Sequence, residues 1–469
     1  MKIMKRGFVF ISVLAGMIFG LNANAQNRVM TFEEAVKIAL KNSVLLNIQR
    51  NNLEYSQMQK MSSIAGVGPS VSVSAAAYQV NGNSFNQNAG KVINGIRDNV
   101  NGTISANLNL FSGFNRINSI RQFSNQLEAQ SYFVNRTAQD VINTVSTQYL
   151  NVMLDVELLV IARKNFDAQS KQLQQITEQV NLGARSPVDQ YNQDALTKAA
   201  ELRFVQADVA LGNDKSLLAQ TLLLDAFDDF DVERPSWDVN EIGSQVLNAE
   251  QLADNAKQFR GDYLRAVKAE SGQRFAMIAA RGLMLPSLYA FGNLGSAYNY
   301  QHGVPKLLYD SSRQSYVNNT DYPRPFAEQF KTNNVYKSYG LQMNLTLFNG
   351  LQNRTAFVQQ KVLYDNSQLN RKNLEYQIRN DIVRAVRNFD GAKKAFTVSV
   401  DQLKSAEIAF GFETERYNLG VTNFVDFTNA NRVYVQAETD KAQAEYRLVF
   451  QKILLEYAAG TLKPENIQK

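Results

Sequence analysis

An apolar residue recurs at every seventh position through a long stretch of each half of the chain. In the first half the positions are Ala138, Val145, Val152, Leu159, Phe166, Leu173 and Val180. In the second half they are Ile382, Phe389, Phe396, Leu403, Phe410 and Tyr417, and the pattern fails only at Glu375. Apolar residues between these positions give the spacing of a coiled coil, and a strict seven-residue repeat predicts a left-handed supercoil. A helix over 115–182 would be on the order of 100 Å long, which excludes a small globule.

Each long helix ends in a similar short phrase that keeps its Asn-Leu-Gly and Val-Asp residues and the spacing between them. NLGARSPVD occupies 181–189 and NLGVTNFVD occupies 418–426. Gly183 and Gly420 are expected to end the long helices, at a left-handed position that suits glycine. Each phrase therefore predicts a tight turn between two antiparallel helices.

The residues after each glycine are expected to start the next helix. Ser186 and Asn423 are natural N-cap residues. Asp189 and Asp426 follow three residues later, where a carboxylate can reach free backbone N–H groups. Helix capping alone is a sufficient explanation of both aspartates.

Two constant offsets relate the halves of the chain. Thr31 and Asn248, two expected N-caps, are 217 positions apart, and so are Pro69 and Pro286. Phe111 and Phe348, in LNLFSGFNR and LTLFNGLQNR, are 237 positions apart, as are the two turn phrases. A tandem duplication with 20 extra residues inserted in one loop of the second copy explains both offsets.

The expected organisation follows from this duplication. A signal peptide occupies 1–25, and the two structural repeats occupy 26–240 and 241–469. The first repeat has a β-hairpin at about 69–111 and a helical hairpin at about 115–227, with its tip at 181–189. The second has a β-hairpin at about 286–348 and a helical hairpin at about 351–460, with its tip at 418–426.

The predicted strands alternate apolar and uncharged polar residues. In one segment Val100, Gly102, Ile104, Ala106, Leu108 and Leu110 alternate with Asn101, Thr103, Ser105, Asn107 and Asn109. In another, Tyr339, Leu341, Met343, Leu345 and Leu347 alternate with Gly340, Gln342, Asn344 and Thr346. Period-two runs of this length with almost no charge favour transmembrane β-strands, and a soluble hairpin with one buried face is the alternative.

Four strands cannot seal a membrane barrel by themselves. An open sheet edge in lipid leaves backbone N–H and C=O groups unpaired, at several kcal/mol each. The smallest barrels use about eight strands. Several chains are therefore expected to contribute strands to one barrel.

The N-terminal segment predicts export. Lys2, Lys5 and Arg6 precede an apolar run at 8–21, and Ala23-Asn24-Ala25 is a cleavage signal. The run is too short for a comfortable membrane span of roughly 20 residues, although an uncleaved anchor is the alternative. Removal of these three basic residues lowers the net charge from +6 to +3, so nucleic acid is not an expected partner. After residue 26 the sequence contains no run of 18 apolar residues, so no membrane-spanning helix is predicted there.

The composition offers little for enzyme chemistry. There is no cysteine, and the one histidine, His302, lies in a loop flanked by glycine and proline where a surface position is expected. Cysteine nucleophiles and cysteine metal sites are therefore excluded. The acidic run LLLDAFDDFDVE lacks the spacing of a calcium loop and is expected to be a solvated helix end. We expect no metal, no cofactor and no enzyme activity.

With these residues in view, the chain resembles the TolC-type outer-membrane efflux proteins of Gram-negative bacteria. The resemblance rests on TFEEAVKIALKNS, on the strand ends LNLFSG and LTLFNG, and on the paired turns. It implies a mainly α-helical fold with transmembrane β-structure. Three chains would form a 12-stranded β-barrel in the outer membrane, continued by an α-barrel of coiled-coil hairpins through the periplasm.

The resemblance also implies partners at the turns. The turns would form a periplasmic entrance that is closed at rest and opened by partner proteins, a periplasmic adaptor and an inner-membrane transporter. The implied docking residues are Leu182, Gly183, Ala184, Leu419, Gly420 and Val421.

The implied gate departs from the family pattern in part. Tyr417 and Asp189 match a tyrosine and an aspartate that pair in the resting gate through a hydrogen bond to a charged acceptor. The expected arginine position holds Thr422, and the first turn carries Arg185 instead. Some family members carry a second ring of acidic residues one helical turn beyond the turns, and here Asn192 and Asn429 occupy those positions. Asp426 alone could then supply the inner acidic ring. The entrance should therefore attract cations less strongly than it does in those family members.

Three classes of function stay open at this stage. The first is the passive exit duct of a tripartite efflux or type I secretion system. The second is a soluble periplasmic adaptor or scaffold built on coiled-coil hairpins. The third, an exported enzyme, is disfavoured by the lack of His and Cys. Drugs, metal ions, siderophores and polypeptides are all compatible cargoes.

Overall fold

A computed structural model of the chain describes residues 28–86, 91–225, 230–234, 239–244 and 247–463. The predicted signal peptide at 1–25 lies outside the described residues, as do Asp228 and Asp229 of the acidic run.

The described residues form helices and strands in alternating groups. The helices are α1 (Phe32–Asn42), α2 (Val44–Ala65), α3 (Asn115–Asn181), α4 (Pro187–Leu222), α5 (Val239–Ser244), α6 (Ala249–Phe259), α7 (Gly261–Gly282), α8 (Phe326–Glu328), α9 (Gln352–Asn418) and α10 (Phe424–Ala459), with a π-helical turn at Gln329–Asn333. The strands are β1 (Arg28–Met30), β2 (Ser70–Asn86), β3 (Lys91–Ser112), β4 (Phe230–Val232), β5 (Ser287–Gln301), β6 (Leu307–Asp310), β7 (Ser315–Asn318) and β8 (Tyr336–Asn344).

The main helices recur in pairs of equal length. Helices α1 and α6 have 11 residues each, and α2 and α7 have 22 each. Helices α3 and α9 have 67 residues each, and α4 and α10 have 36 each. The expected N-caps are confirmed, since the Thr31 side chain accepts a hydrogen bond from the Glu34 N–H (3.1 Å) and Asn248 accepts one from the Gln251 N–H (3.2 Å).

The chain divides into two compact units. Unit 1 comprises Met1–Val44, Ala138–Leu252 and Ile382–Lys469, and unit 2 comprises Leu45–Thr137 and Ala253–Asp381. Both heptad ladders contribute to the core of unit 1, where Val145, Val152 and Phe389 are fully buried.

Tyr149 connects the core of unit 1 to its short parallel sheet. Strand β1 pairs with β4 in parallel. The Tyr149 hydroxyl lies 2.8 Å from the carbonyl oxygens of Met30, at the end of β1, and of Glu233, just after β4. Because the ring is completely buried and packs edge-on against Phe32 at 5.4 Å, this one side chain joins α3 to β1 and α1.

Glu456 is a buried acid near the end of α10. Burial raises the pKa of its carboxyl from 4.5 to about 7, and the positive charge of Lys452 opposes this only in part. One carboxyl oxygen is buried and has no hydrogen-bond partner among the described residues. The folded protein therefore favours the neutral acid.

We expect Glu456→Gln to stabilise unit 1 at alkaline pH. Since the pKa is higher in the folded state, the contribution of Glu456 is fully present below about pH 4.5 and is lost as the pH rises through 7. A permanently neutral glutamine avoids this loss, so the gain at pH 8 should be about 1–2 kcal/mol after discounting for solvent screening. Thermal midpoints at pH 4.5 and 8 test this, with Glu407→Gln at an exposed position of α9 as the control. Equal midpoints for Glu456→Gln and the wild type at pH 8 would contradict it.

Unit 2 contains a four-stranded antiparallel sheet in the order β2-β3-β5-β8. A bulge lies in β3 between Asn109 and Phe111. Strands β2 and β8 each pair on one side only among the described residues. The sheet is therefore open at both edges.

The two faces of this sheet differ in polarity. The strand register places Val73, Ile104 and Leu294 side by side on one face and pairs Leu341 with Ala290 further along it, with Lys337 opposite Leu294. This apolar face is exposed, with Val73 75% and Leu341 68% accessible. The opposite face carries mainly Asn, Ser, Thr and Gln. A row of exposed apolar side chains of this kind is typical of a surface that contacts lipid or protein.

The residues between β5 and β8 cap the free edge of β5. Strand β8 pairs with β5 only as far as Gly295, which leaves the end of β5 without a strand partner on that side. The Gln329 side chain accepts from the Asn299 N–H (3.1 Å) and donates to the Asn299 carbonyl (3.0 Å), and Asn334 donates to the Ala297 carbonyl (2.7 Å). Side-chain amides thus replace a neighbouring strand.

The last strand ends earlier than its sequence pattern predicts. Alternation continues to Leu347, but β8 ends at Asn344, so Leu345 and Leu347 lie outside the strand. The physical reason is the partner, since Asn344 pairs with Ser287, where β5 begins.

One helix of the described residues, α3, is long and apolar enough over 18 residues to cross a membrane by length and composition. A core helix passes the same test, and α3 contributes Val145, Tyr149 and Val152 to the core of unit 1. Among the described residues, no three His, Cys, Asp or Glu side chains are grouped to hold a metal ion. His302 is partly exposed, with its Nε2 atom 2.7 Å from Asp98 Oδ2.

Candidate functional site at the two helical-hairpin turns

The first turn joins α3 to α4 and is closed by backbone hydrogen bonds. Gly183 has φ +75°, and its N–H donates to the Val180 carbonyl (2.9 Å). The Ala184 N–H donates to the Gln179 carbonyl (2.8 Å). This is the Schellman pattern, which needs the left-handed conformation that glycine adopts without strain.

The second turn, between α9 and α10, repeats this geometry. Gly420 has φ +72°, and its N–H donates to the Tyr417 carbonyl (3.1 Å). The Val421 N–H donates to the Arg416 carbonyl (2.9 Å). Both turns therefore reverse the chain within a few residues, as the repeated phrase predicts.

The helices that follow the turns are capped as the sequence predicts. The Ser186 hydroxyl accepts a hydrogen bond from the Val188 N–H (3.2 Å), with Pro187 in the first turn of α4. Asn423 accepts from the Asp426 N–H (2.9 Å), and its amide donates to the Asp426 carboxylate (3.0 Å). In this chain Asp426 thus takes part in the cap of α10.

Arg185 of the first turn contacts Tyr417, which lies just before the second turn. The Arg185 Nη1 donates a hydrogen bond to the Tyr417 hydroxyl, and the guanidinium carbon lies 4.5 Å from the ring centroid. The Tyr417 hydroxyl therefore accepts a hydrogen bond from Arg185, and the Gln172 side chain also hydrogen-bonds to it. A single side chain makes both a charged hydrogen bond and a cation–π contact across the two hairpins.

The surroundings of Tyr417 favour a neutral hydroxyl. Burial raises the pKa of the Tyr417 hydroxyl above its ordinary value of 10. The positive charge of Arg185 lowers that pKa, whereas the negative charge of Asp189 raises it. Asp189 therefore lies close enough to act on Tyr417 through its charge.

An aromatic group supports Tyr417 from the α10 side. The Tyr417 ring stacks on Phe427, with the ring centroids 4.6 Å apart, and its centroid lies 6.3 Å from that of Phe424. Nearby, Phe410 stacks on Tyr434 at 5.3 Å. Sequence reasoning missed Phe424 and Phe427, although their place directly after the second turn was a signal. Because Tyr417 is almost fully buried by this packing, its hydroxyl has a fixed position for Arg185.

The outermost residues of both turns are apolar and exposed. Leu182 is 84% accessible and Leu419 79%, and Ala184 and Val421 are exposed beside them. Apolar side chains at such positions contribute nothing to the core of unit 1. They are available to a partner surface.

A cavity of about 390 Å³ lies beside the second turn and was not predicted from sequence. Residues of α3, α4 and α10 line it, among them Gln169, Arg203, Asp426 and Arg432. The exposed Asn429 lines it as well. The structure thus places Asp426 in the lining of a cavity between helices of unit 1.

Solved structures of bacterial outer-membrane channels share this fold. VceC from Vibrio cholerae is 13% identical, with 92% of this chain and 96% of that chain covered at a TM-score of 0.76. CmeC from Campylobacter jejuni is 14% identical, with 93% and 88% covered at 0.75. The open state of MtrE from Neisseria gonorrhoeae is 16% identical, with 92% and 90% covered at 0.73. No curated protein matches the chain at a significant level.

The sequence also matches a family model over most of its length. The model describes the outer membrane efflux protein, and it matches residues 35–222 and 304–461. The two matched segments contain the helical hairpins and both turns described above. The chain therefore belongs to the outer membrane efflux protein family.

Proposed function

We propose that three copies of this chain form one outer-membrane conduit that carries substrates from an inner-membrane transporter to the exterior. Membership of the family establishes an outer-membrane location, an extension into the periplasm and a role as an efflux exit duct. The proposal adds the number of chains, the shared barrel and the partners.

The observation that carries the proposal is the open sheet of unit 2. Its outer strands, β2 and β8, each pair on one side only among the described residues, and one face exposes a row of apolar side chains. In lipid, unpaired edges are too costly to persist. Three four-stranded sheets joined edge to edge give a closed barrel of 12 strands with no free edge.

The paired helix lengths support a tandem duplication. Helices of 11, 22, 67 and 36 residues follow one another twice in the same order. We infer repeats at 26–240 and 241–469, and the residues between β5 and β8 hold the insertion of the second copy.

The turns are the proposed contact with the periplasmic adaptor. Leu182, Ala184, Leu419 and Val421 present apolar side chains, and Gly183 and Gly420 let the backbone turn closely enough to expose them. Arg185, Tyr417, Asp189 and Asp426 are the proposed gate residues. Within this group, the Arg185–Tyr417 contact is the proposed tie that holds the two hairpins of one chain together.

Catalysis is no part of the proposal, because the family comprises channel and transport proteins. The alternative, a soluble periplasmic scaffold, accounts for the long hairpins but leaves the apolar face of the sheet without a covering.

Site-specific photocrosslinking in cells tests the proposed docking residues. A photoreactive amino acid at Leu419 should capture an adaptor, and the captured complex should contain an inner-membrane transporter. The control is the same amino acid at Val209, an exposed position of α4 away from both turns. Equal capture at the two positions would contradict docking at the turns, and capture of an adaptor without a transporter would contradict the proposed link to the inner membrane.

A further inference from the structure

Unit 2 contains a cavity on the polar face of its sheet, opposite the apolar face that the proposed barrel turns to lipid. Its volume is about 390 Å³. Three strands and the segment after β7 line it, through Tyr78, Phe85, Arg97, Asn99, Asn101, Ala297, Asn299, Gln301, Asp321 and Pro323. The strand register explains this grouping, because Tyr78, Asn99 and Asn299 are directly paired across the sheet.

Two polar groups at this cavity are buried without a partner. Gln301 is 5% accessible, and its Oε1 atom finds no donor among the described residues. The Arg97 Nε–H finds no acceptor among them either, although Nη1 of the same guanidinium donates to the Phe85 carbonyl. A buried polar group left unpaired costs about 1–3 kcal/mol. Both atoms are closed off in this conformation, so a molecule in the cavity would pair with them once the Arg97 and Gln301 side chains rotate towards it.

The remaining lining defines the chemistry of that molecule. Asn99, Asn101, Asn299 and Gln301 are amides, each of which can donate and accept. Arg97 and Asp321 bring one positive and one negative side chain, so the lining has no net charge. Alternating donors and acceptors without net charge match neighbouring hydroxyl groups better than an ion.

Apolar rings complete the lining. Tyr78, Phe85 and Pro323 offer flat surfaces for C–H groups beside the polar side chains. A few convergent polar groups together with such surfaces are typical of small-molecule sites. Asn99 is 2% accessible and its amide donates to the Arg97 carbonyl (3.2 Å), which holds this part of the lining in place.

We propose that this cavity binds a neutral sugar ring, a monosaccharide or one unit of a saccharide chain. The ring hydroxyls pair with the amides of β3 and β5 that line the cavity, and Arg97 and Gln301 gain their missing partners by rotating towards the sugar. The ring's C–H face lies against Tyr78 or Pro323. The bridging segment at 319–323, between β7 and α8, closes one side of the site and is anchored by the Asn319 amide donating to the Pro305 carbonyl (2.8 Å).

Saturation-transfer NMR on the purified mature protein tests this site. The detergent should be lauryldimethylamine oxide, because sugar-based detergents would compete. The probes are D-glucose, D-galactose, L-rhamnose and N-acetyl-D-glucosamine, with L-serine as a zwitterion of comparable polarity. We expect transfer to at least one sugar and none to L-serine. This measurement needs neither conduction nor a partner protein, so a negative result would not count against the proposed conduit function.

Matched variants locate the binding. Gln301→Ala should weaken sugar binding at least tenfold. Gln342→Ala should not change it, because Gln342 is an exposed amide of β8 that lies on the same polar face of the sheet but outside the cavity. Ala297→Leu, which narrows the cavity without removing a polar group, should also weaken it and serves if Gln301→Ala does not fold. The proposal is overturned by a lack of transfer to every sugar, by transfer to L-serine alone, or by equal binding in all variants.

Discussion

Leu341→Arg is expected to remove most of the assembled protein from the outer membrane. Leu341 lies near the middle of β8, is 68% accessible and pairs with Ala290 on the apolar face of the sheet. An arginine on the lipid face of a barrel strand costs about 2–4 kcal/mol near the bilayer midplane. This corresponds to a shift of roughly 30- to 800-fold against the assembled state, because 1.4 kcal/mol is a factor of ten.

The neighbouring residue provides the matched control. Gln342 is on the same strand but on the polar face, so Gln342→Arg should leave assembly and thermal midpoint nearly unchanged. The measurement is the amount of protein in the outer-membrane fraction, together with the midpoint of heat dissociation in detergent. If the two variants behaved alike, the apolar face would not be in contact with lipid.

Arg185→Ala is expected to open the periplasmic entrance. Its guanidinium makes a hydrogen bond to Tyr417 and a cation–π contact with the ring. Hydrogen bonds to charged groups contribute about 1.5–3 kcal/mol and exposed cation–π contacts about 0.5–1 kcal/mol. Loss of both should raise the open fraction at least roughly tenfold.

Single-channel conductance in planar bilayers measures this effect. Tyr417→Phe should give a smaller rise, because it keeps the ring and loses the hydroxyl. The control is Arg163→Ala, which removes a cation–π contact with Phe204 inside one hairpin and leaves the turns untouched. Closed-state currents that stay at the wild-type level in Arg185→Ala would exclude the tie between the hairpins.

The long helices and their turns follow from local sequence. The heptad ladder needs no distant information, and its described members are all buried or half-buried in the structure. Gly183 and Gly420 end α3 and α9 within two residues, because only the left-handed position allows the Schellman bonds at such a turn. A seven-residue periodicity, together with glycine at the turns, is sufficient to predict these elements.

Features that depend on distant partners escaped sequence reasoning. Strand β8 stops at Asn344 because β5 offers no residue beyond Ser287, and alternation cannot report where a partner begins. The amides of Gln329 and Asn334 cap the edge of β5 from an irregular segment that has no periodicity to detect. The choice of Arg185 as the donor to Tyr417 depends on side-chain directions in residues 232 positions apart.

The number of chains per particle tests the central claim most directly. The open sheet of unit 2 requires neighbours, so the mature protein extracted from membranes with detergent should contain three chains by light scattering or native mass spectrometry. It should also precipitate when the detergent is removed. A monomer that stays in solution without detergent would contradict the shared barrel and with it the conduit.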